Sequence, residues 1–148
     1  MIKKRYEKIT IGRREIVNFP LLNLMGLEAK IDTGAYTSAL HCKDIQLKEI
    51  NGKTVLCFKL LDETHPEYNE KEFQFTNFIK KNIKSSFGEL EERFVIKTTI
   101  HIARRKISST ISLTDRTNMR YPVLIGRKLL KGKFTVDVSK KHTGGFLQ

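Results

Sequence analysis

Tryptophan is absent from this 148-residue chain, and it has only three prolines and two cysteines. Two thiols make a poor disulfide scaffold, so Cys42 and Cys57 read as buried or half-buried free thiols of a reducing compartment. The scarcity of proline and the lack of any low-complexity tract exclude a disordered chain. No apolar stretch approaches the roughly 20 residues that span a bilayer as a helix. The opening Met1-Ile2-Lys3-Lys4-Arg5 is basic but lacks the apolar core of a signal peptide, and the chain is therefore expected to be cytoplasmic. Acidic residues are scarce in one region above all: residues 93–148 hold 13 Lys and Arg but 2 Asp and Glu.

With 39% hydrophobic and 30% charged residues, the chain suits a single folded domain spanning 1–148 with one core. The net charge of +12 divides as +5 over residues 1–61, −4 over 62–92 and +11 over 93–148. Such a field attracts anions of any kind, whether nucleic acid, anionic lipid or an acidic polypeptide.

Apolar residues recur mostly at period two, which predicts a mainly β chain of short strands. Ile9 to Ile11 and Arg14 to Val17 suggest a first hairpin, and the apolar stretch Leu21 to Ile31 leads to Asp32. Ile45 to Ile50 and Thr54 to Leu61 flank Asn51-Gly52, a pair that tolerates the positive φ angles of a two-residue hairpin turn. Phe73 to Ile79 alternates as one further strand. Phe94 to Ile102 and Lys106 to Leu113 form another hairpin around Arg104-Arg105. One short helix is predicted from Arg127, after Val123-Leu124-Ile125-Gly126, with Gly132 as its stop. Residues 133–138 return to strand, and 139–148 read as a loose tail. The acidic stretch 62–92 reads as a flap or insertion loop.

The segment Ala29-Lys30-Ile31-Asp32-Thr33-Gly34-Ala35 places one carboxylate at the end of an apolar strand. Asp32 is suited to activating water, the Thr33 hydroxyl to hydrogen bonding at the turn, and Gly34 removes a Cβ that would obstruct another chain. Taken alone, such a tripeptide also fits an ordinary turn. Ala35, Thr37 and Ser38 are small enough for a substrate or second chain to approach. Hydrolysis by paired aspartates needs two carboxylates sharing a proton, and the motif occurs once, so a site requires a homodimer.

Far downstream, Val123-Leu124-Ile125-Gly126-Arg127 and its helix complete a pattern that resembles a retropepsin. The fuller string Ala29 to His41 resembles one bacterial branch more closely, the retropepsin-like family labelled ATP-dependent zinc protease and linked with RimK-type glutamate ligases. Ile11-Gly12-Arg13-Arg14-Glu15, Arg93 to Thr99, and Thr114-Asp115-Arg116 with Met119 extend the match over about residues 9–138. Three features depart from it: the missing Trp, Tyr36 in place of the usual Arg, and Tyr121-Pro122 before the Val123 strand. The resemblance implies a retropepsin-like closed barrel of short antiparallel strands with one C-terminal helix. It also implies an aspartic-type peptidase with Asp32, Thr33 and Gly34 at its centre. Arg93, Arg116 and Arg127 lie in matched segments and are candidates to grip the carboxylates of an acidic or glutamate-rich peptide bidentately.

The words zinc and ATP find no support in the residues. The His-Glu-x-x-His spacing of metalloproteases is missing, and His41 and Cys42 are adjacent and diverge on a strand. The nearest approach to a P-loop, Gly126 to Phe134, has five residues between its glycines and Phe134 where a hydroxyl is needed. No Gly-x-Ser-x-Gly elbow surrounds Ser38. No metal or cofactor is expected. The alternative is a basic module that binds an acidic protein or nucleic acid without catalysis; the lack of interleaved surface aromatics weighs against RNA.

Overall fold

A computed structural model describes residues 7–85, 87–115 and 120–143. In chain order the elements are β1 (Ile9–Ile11), β2 (Arg14–Phe19), a 3-10 turn (Pro20–Leu22), β3 (Leu24–Ile31), β4 (Ser38–Ile50), β5 (Lys53–Leu60), β6 (Glu72–Phe75), β7 (Ile79–Lys84), β8 (Leu90–Ile102), β9 (Arg105–Thr114), β10 (Val123–Ile125), α1 (Arg127–Leu130) and β11 (Phe134–Val136). The protein is mainly β, with one short helix among the described residues, as the patterning predicts.

The pairings β10-β3-β2-β8-β9-β4 run in sequence, and β4 pairs back to β10, so six strands close on themselves. Closure leaves fewer free edges to pair with other chains. The inward positions hold an apolar cluster that includes Val17, Leu27, Leu40, Ile96, Ile100, Ile111 and Val123. β5 and β6 extend the sheet beyond β4, where Phe58 stacks with Phe73 and Phe75 at ring-centroid distances of 5.9 and 5.5 Å.

Two strands are longer than their local patterns suggest. β4 and β8 each run 13 residues because each has three partners, β10, β9 and β5 for β4 and β2, β9 and β7 for β8. β4 pairs in parallel with β9 over Ser38–His41 and then turns to β5, with a register shift between Lys43 and Gln46 where Asp44 takes φ 53°. Such a bulge lets one strand bend between two sheets. The turns obey local chemistry: Asn51 and Gly52 take φ 52° and 77° between β4 and β5, and Ala103 and Arg104 take 50° and 62° between β8 and β9. The second turn thus lies one residue earlier than Arg104-Arg105.

Two local expectations are overturned. β1 and β2 do not form a hairpin: β1 pairs in parallel with β11, while β2 pairs with β3 and β8. Only two residues separate β1 from β2, and the Gly12 amide is turned onto the Glu15 carboxylate at 2.7 Å, which directs the two strands to different partners. Phe73 to Ile79 is not one strand, because Thr76 to Phe78 separate β6 on β5 from β7 on β8. The stretch 62–92 is therefore partly ordered sheet, and its β7–β8 hairpin leaves Phe87 and Leu90 exposed. The tail is held as far as Thr143, whose amide and hydroxyl donate to Glu15 at 3.1 and 3.0 Å, while the His142 amide donates to the Arg14 carbonyl at 2.8 Å. Gly144 and Gly145 lie outside the described residues.

Glu15, almost fully buried, thus joins the start of the chain to its end. Removing a buried acceptor leaves its donors without partners, at about 1–3 kcal/mol. Glu15→Ala should lower the unfolding free energy by about 2 kcal/mol in chemical denaturation.

Candidate active site

β3 delivers Asp32 beside β10. The two strands pair in parallel, Ile31 against Ile125, and the ladder's last bond runs from the Asp32 amide to the Ile125 carbonyl at 2.8 Å. A parallel partner here requires both strands to be apolar on their inner face, which Ala29, Ile31, Val123 and Ile125 satisfy. Beyond Ile31 the chain turns sharply. The Gly34 amide donates to Asp32 Oδ1 at 3.0 Å and the Ala35 amide to the Asp32 carbonyl at 3.2 Å. One carboxylate oxygen is thereby fixed. Among the described residues Oδ2 has no hydrogen-bond partner. Asp32 is buried while Thr33 and Gly34 are exposed, so the turn presents its tip to solvent from a rigid base.

That base is Gly126. A Cβ there would lie 2.6 Å from the Tyr36 carbonyl oxygen and 2.9 Å from the Thr37 carbonyl carbon, so only glycine admits this approach. The Gly126 amide donates to Ser38 Oγ at 3.0 Å, and the amides of Arg127 and Lys128 donate to the carbonyls of Ala35 and Tyr36 at 2.9 Å. α1 is one turn long, and its first residues hold the loop rather than extend a helix. Arg127 adds a hydrogen bond from Nη1 to the Thr33 carbonyl at 2.9 Å and lies over the Tyr36 ring at 5.8 Å.

The candidates from sequence therefore separate into distinct positions. Asp32, Thr33 and Gly34 come together at the exposed turn. Tyr36 and Thr37 flank it, half-buried or exposed. Ala35 and Ser38 are buried and engaged with β10 and α1, so they support the loop from behind. Arg127 is turned onto the loop's own backbone. Arg93 is buried on β8, with Nη1 donating to Ser112 Oγ at 3.4 Å and Nη2 to Glu91 at 2.9 Å. Ser112 Oγ in turn donates to the Ser38 carbonyl at 3.1 Å. The expectation that Arg93 reaches substrate meets a side chain spent inside the fold. Arg116 lies outside the described residues.

A second buried polar pair was legible only as two unrelated residues. His41 Nε2 lies 2.7 Å from Asp62 Oδ2, and Nδ1 lies 3.3 Å from the Thr114 carbonyl. Hydrogen bonds from the Thr64 hydroxyl and amide, with His41 adding to them against the effect of burial, hold the Asp62 carboxyl down to about 2. Their separation of 21 residues in sequence carries no motif signal. Among the described residues no three His, Cys, Asp or Glu side chains could hold a metal ion. Cys42 is a poor donor because burial, reinforced by Asp115, raises its thiol pKa well above the usual value.

A closed β fold that presents Asp32-Thr33-Gly34 on a strand end, backed by Ile125-Gly126 of a parallel neighbour, is the architecture of a retropepsin-like aspartic peptidase. Comparison with known proteins agrees. The chain belongs to the RimB-like family, described as retropepsin-like aspartic endopeptidase RimB, whose profile matches residues 7–145. Curated relatives include probable alpha-L-glutamate ligases of Shewanella halifaxensis, 33% identical over 93% of this chain, and Desulfotalea psychrophila, 30% identical over 88%. The chain spans about 30% of the length of the first of these and 28% of the second. A crystal structure of a Legionella pneumophila protein of unknown function (DUF785) superposes with a TM-score of 0.73 at 26% identity, covering 94% of this chain and 100% of that one.

Two outcomes follow from these contacts. Gly126→Ala forces the loop away from β10, and overpacking of this kind should lower stability by about 2 kcal/mol in denaturant titrations. Asp62 has a folded-state pKa of about 2, below the roughly 3.9 of an unfolded aspartate, so its contribution is complete above pH ~4 and lost as pH falls toward 2. Asp62→Asn should therefore destabilise the protein at neutral pH and flatten the acid limb of its stability profile.

Proposed function

We propose that two copies of this chain form an aspartic peptidase whose Asp32 side chains face each other across a two-fold axis. The observation that carries the reading is the Asp32 turn itself, with one oxygen held by Gly34 and the other without a partner among the described residues. Two such carboxylates placed close together share one proton and titrate as a pair. The ionised member takes a proton from water, and the resulting hydroxyl attacks the peptide carbonyl carbon. The protonated member hydrogen-bonds the carbonyl oxygen as charge develops there. Cleavage of the C–N bond returns a proton to the leaving amine, and no covalent intermediate forms.

The favoured substrate is an acidic, glutamate-rich peptide, so that the enzyme acts as a glutamyl-peptide hydrolase. The net charge of +12 supports this by drawing polyanions toward the molecule. The relatives named as glutamate ligases support a functional link to such an enzyme, and the place of action is cytoplasmic. Among the described residues no helix is long and apolar enough to cross a membrane. The β7–β8 hairpin, with Phe87 and Leu90 exposed near its tip, serves as the flap of the single domain.

Asp32→Asn keeps shape and hydrogen-bond capacity but removes the base. Hydrolysis of a glutamate-rich peptide, followed by mass spectrometry, should fall by at least about 10³-fold while circular dichroism and the sedimentation coefficient stay unchanged. Undiminished cleavage by this variant would refute the paired-aspartate mechanism.

A further inference from the structure

A cavity of about 500 Å³ opens next to Ile31, one residue before the Asp32 turn. Strand register explains its lining. Arg14 of β2 lies opposite Lys30 of β3, and Lys30 opposite Leu124 of β10. These residues occupy the face opposite Ala29, Ile31, Val123 and Ile125, which the core buries. Arg13, Arg120 and Tyr121 complete the wall, and Ile31, the residue before Asp32, also borders the cavity.

Four cations line this cavity and no carboxylate does. Arg14 meets Glu28 at 3.7 Å, but that glutamate is shared with His142 at 2.8 Å. Among the described residues Arg13, Lys30 and Arg120 have no carboxylate within ion-pair distance. Two guanidinium groups lie over the Tyr121 ring, Arg14 Cζ at 5.9 Å and Arg120 Cζ at 5.6 Å from its centroid. Arg13 Nη1 donates to the Val138 carbonyl at 3.4 Å, leaving most of its fork unused. Like charges converge here at an electrostatic cost, and a concave wall strengthens their joint field. Planar guanidinium forks held on a ring are well shaped for two-point binding of a carboxylate.

We propose that the cavity formed by Arg13, Arg14, Lys30, Arg120 and Tyr121 is a subsite that binds the side-chain carboxylates of an acidic peptide next to the Asp32 turn. It rests on the peptidase reading for its place in catalysis, but its affinity for acidic side chains stands separately. Several cations in one cavity favour consecutive Glu or Asp residues over a single one. The cavity's position beside Ile31 brings the backbone of a peptide seated there alongside Asp32. Acidic preference is thus local to this pocket rather than a property of the whole basic surface.

The test uses a fluorescent glutamate-rich peptide and its isosteric glutamine counterpart. Binding is measured by anisotropy on an Asp32→Asn background, and hydrolysis on the wild-type background. Lys30 and Arg120 are exposed, so Lys30→Gln and Arg120→Gln should fold normally, as thermal melts would show. Each should weaken binding of the glutamate peptide about tenfold, the effect of one charged hydrogen bond, and leave the glutamine peptide unaffected. In hydrolysis the loss should appear in KM, with kcat within about twofold, and Lys30→Arg should restore it. Equal binding of the two peptides by the Asp32→Asn protein, or equal losses for both peptides in the pocket variants, would overturn the subsite. Because anisotropy needs no turnover, a wild-type chain that binds the glutamate peptide through Lys30 and Arg120 without cleaving it would refute the peptidase reading and uphold the subsite.

Discussion

The contact between Gly126 and the backbone of Tyr36 and Thr37 is the constraint on which the rest depends. It brings β10 close enough to pair with both β3 and β4, and that double pairing closes the six-stranded ring. A side chain at Gly126 would separate these strands, and with them the ladder bond that anchors the Asp32 amide. Closure and site are therefore the same structural event: the strand that seals the sheet is the strand that carries the floor of the turn.

From this contact the supporting groups extend outward behind and in front of the loop. Ser38 is held from one side by the Gly126 amide and from the other by Ser112, with Arg93 behind. Arg127 secures the front through the Thr33 carbonyl. Hydrogen bonds of this kind contribute about 1 kcal/mol each to stability, yet their larger effect is geometric. They leave Asp32 little freedom, and a carboxylate with few accessible rotamers loses little entropy when a second carboxylate or a water is placed against it. The charge distribution works on a longer scale. Basic residues with few acidic neighbours create a field over the surface, while the cavity before Asp32 concentrates part of that field where a peptide would pass.

Several features were legible in the sequence for local reasons. Asn51-Gly52 specifies its turn because those residues tolerate positive φ, and a period-two apolar pattern marks β8 because most of its length buries one face. Asp32-Thr33-Gly34 and Ile125-Gly126 could be matched across more than 90 residues by resemblance alone. The reading went astray where neighbours in sequence are not neighbours in space. β1 and β2 looked like a hairpin, but β1 pairs with the far end of the chain. Arg93 was a candidate for substrate because it lies in a matched segment, and a match in sequence does not say which face a closed sheet turns inward. Arg14 and Lys30, opposite each other on β2 and β3, are 16 residues apart and Arg120 lies 90 residues beyond Lys30, so no local pattern announced that these cations would share a cavity.

Local chemistry thus set the β character, the principal turns, the one short helix among the described residues and the place of Asp32 at a strand end. Those depend on backbone preference, side-chain period and a short motif, all of which act within a few residues. Tertiary structure decided which strands pair, where Glu15, His41 and Arg93 are buried, and which cations share a cavity. These outcomes depend on closing a ring between segments up to 94 residues apart, and no local preference encodes which distant backbone will arrive with the space for it.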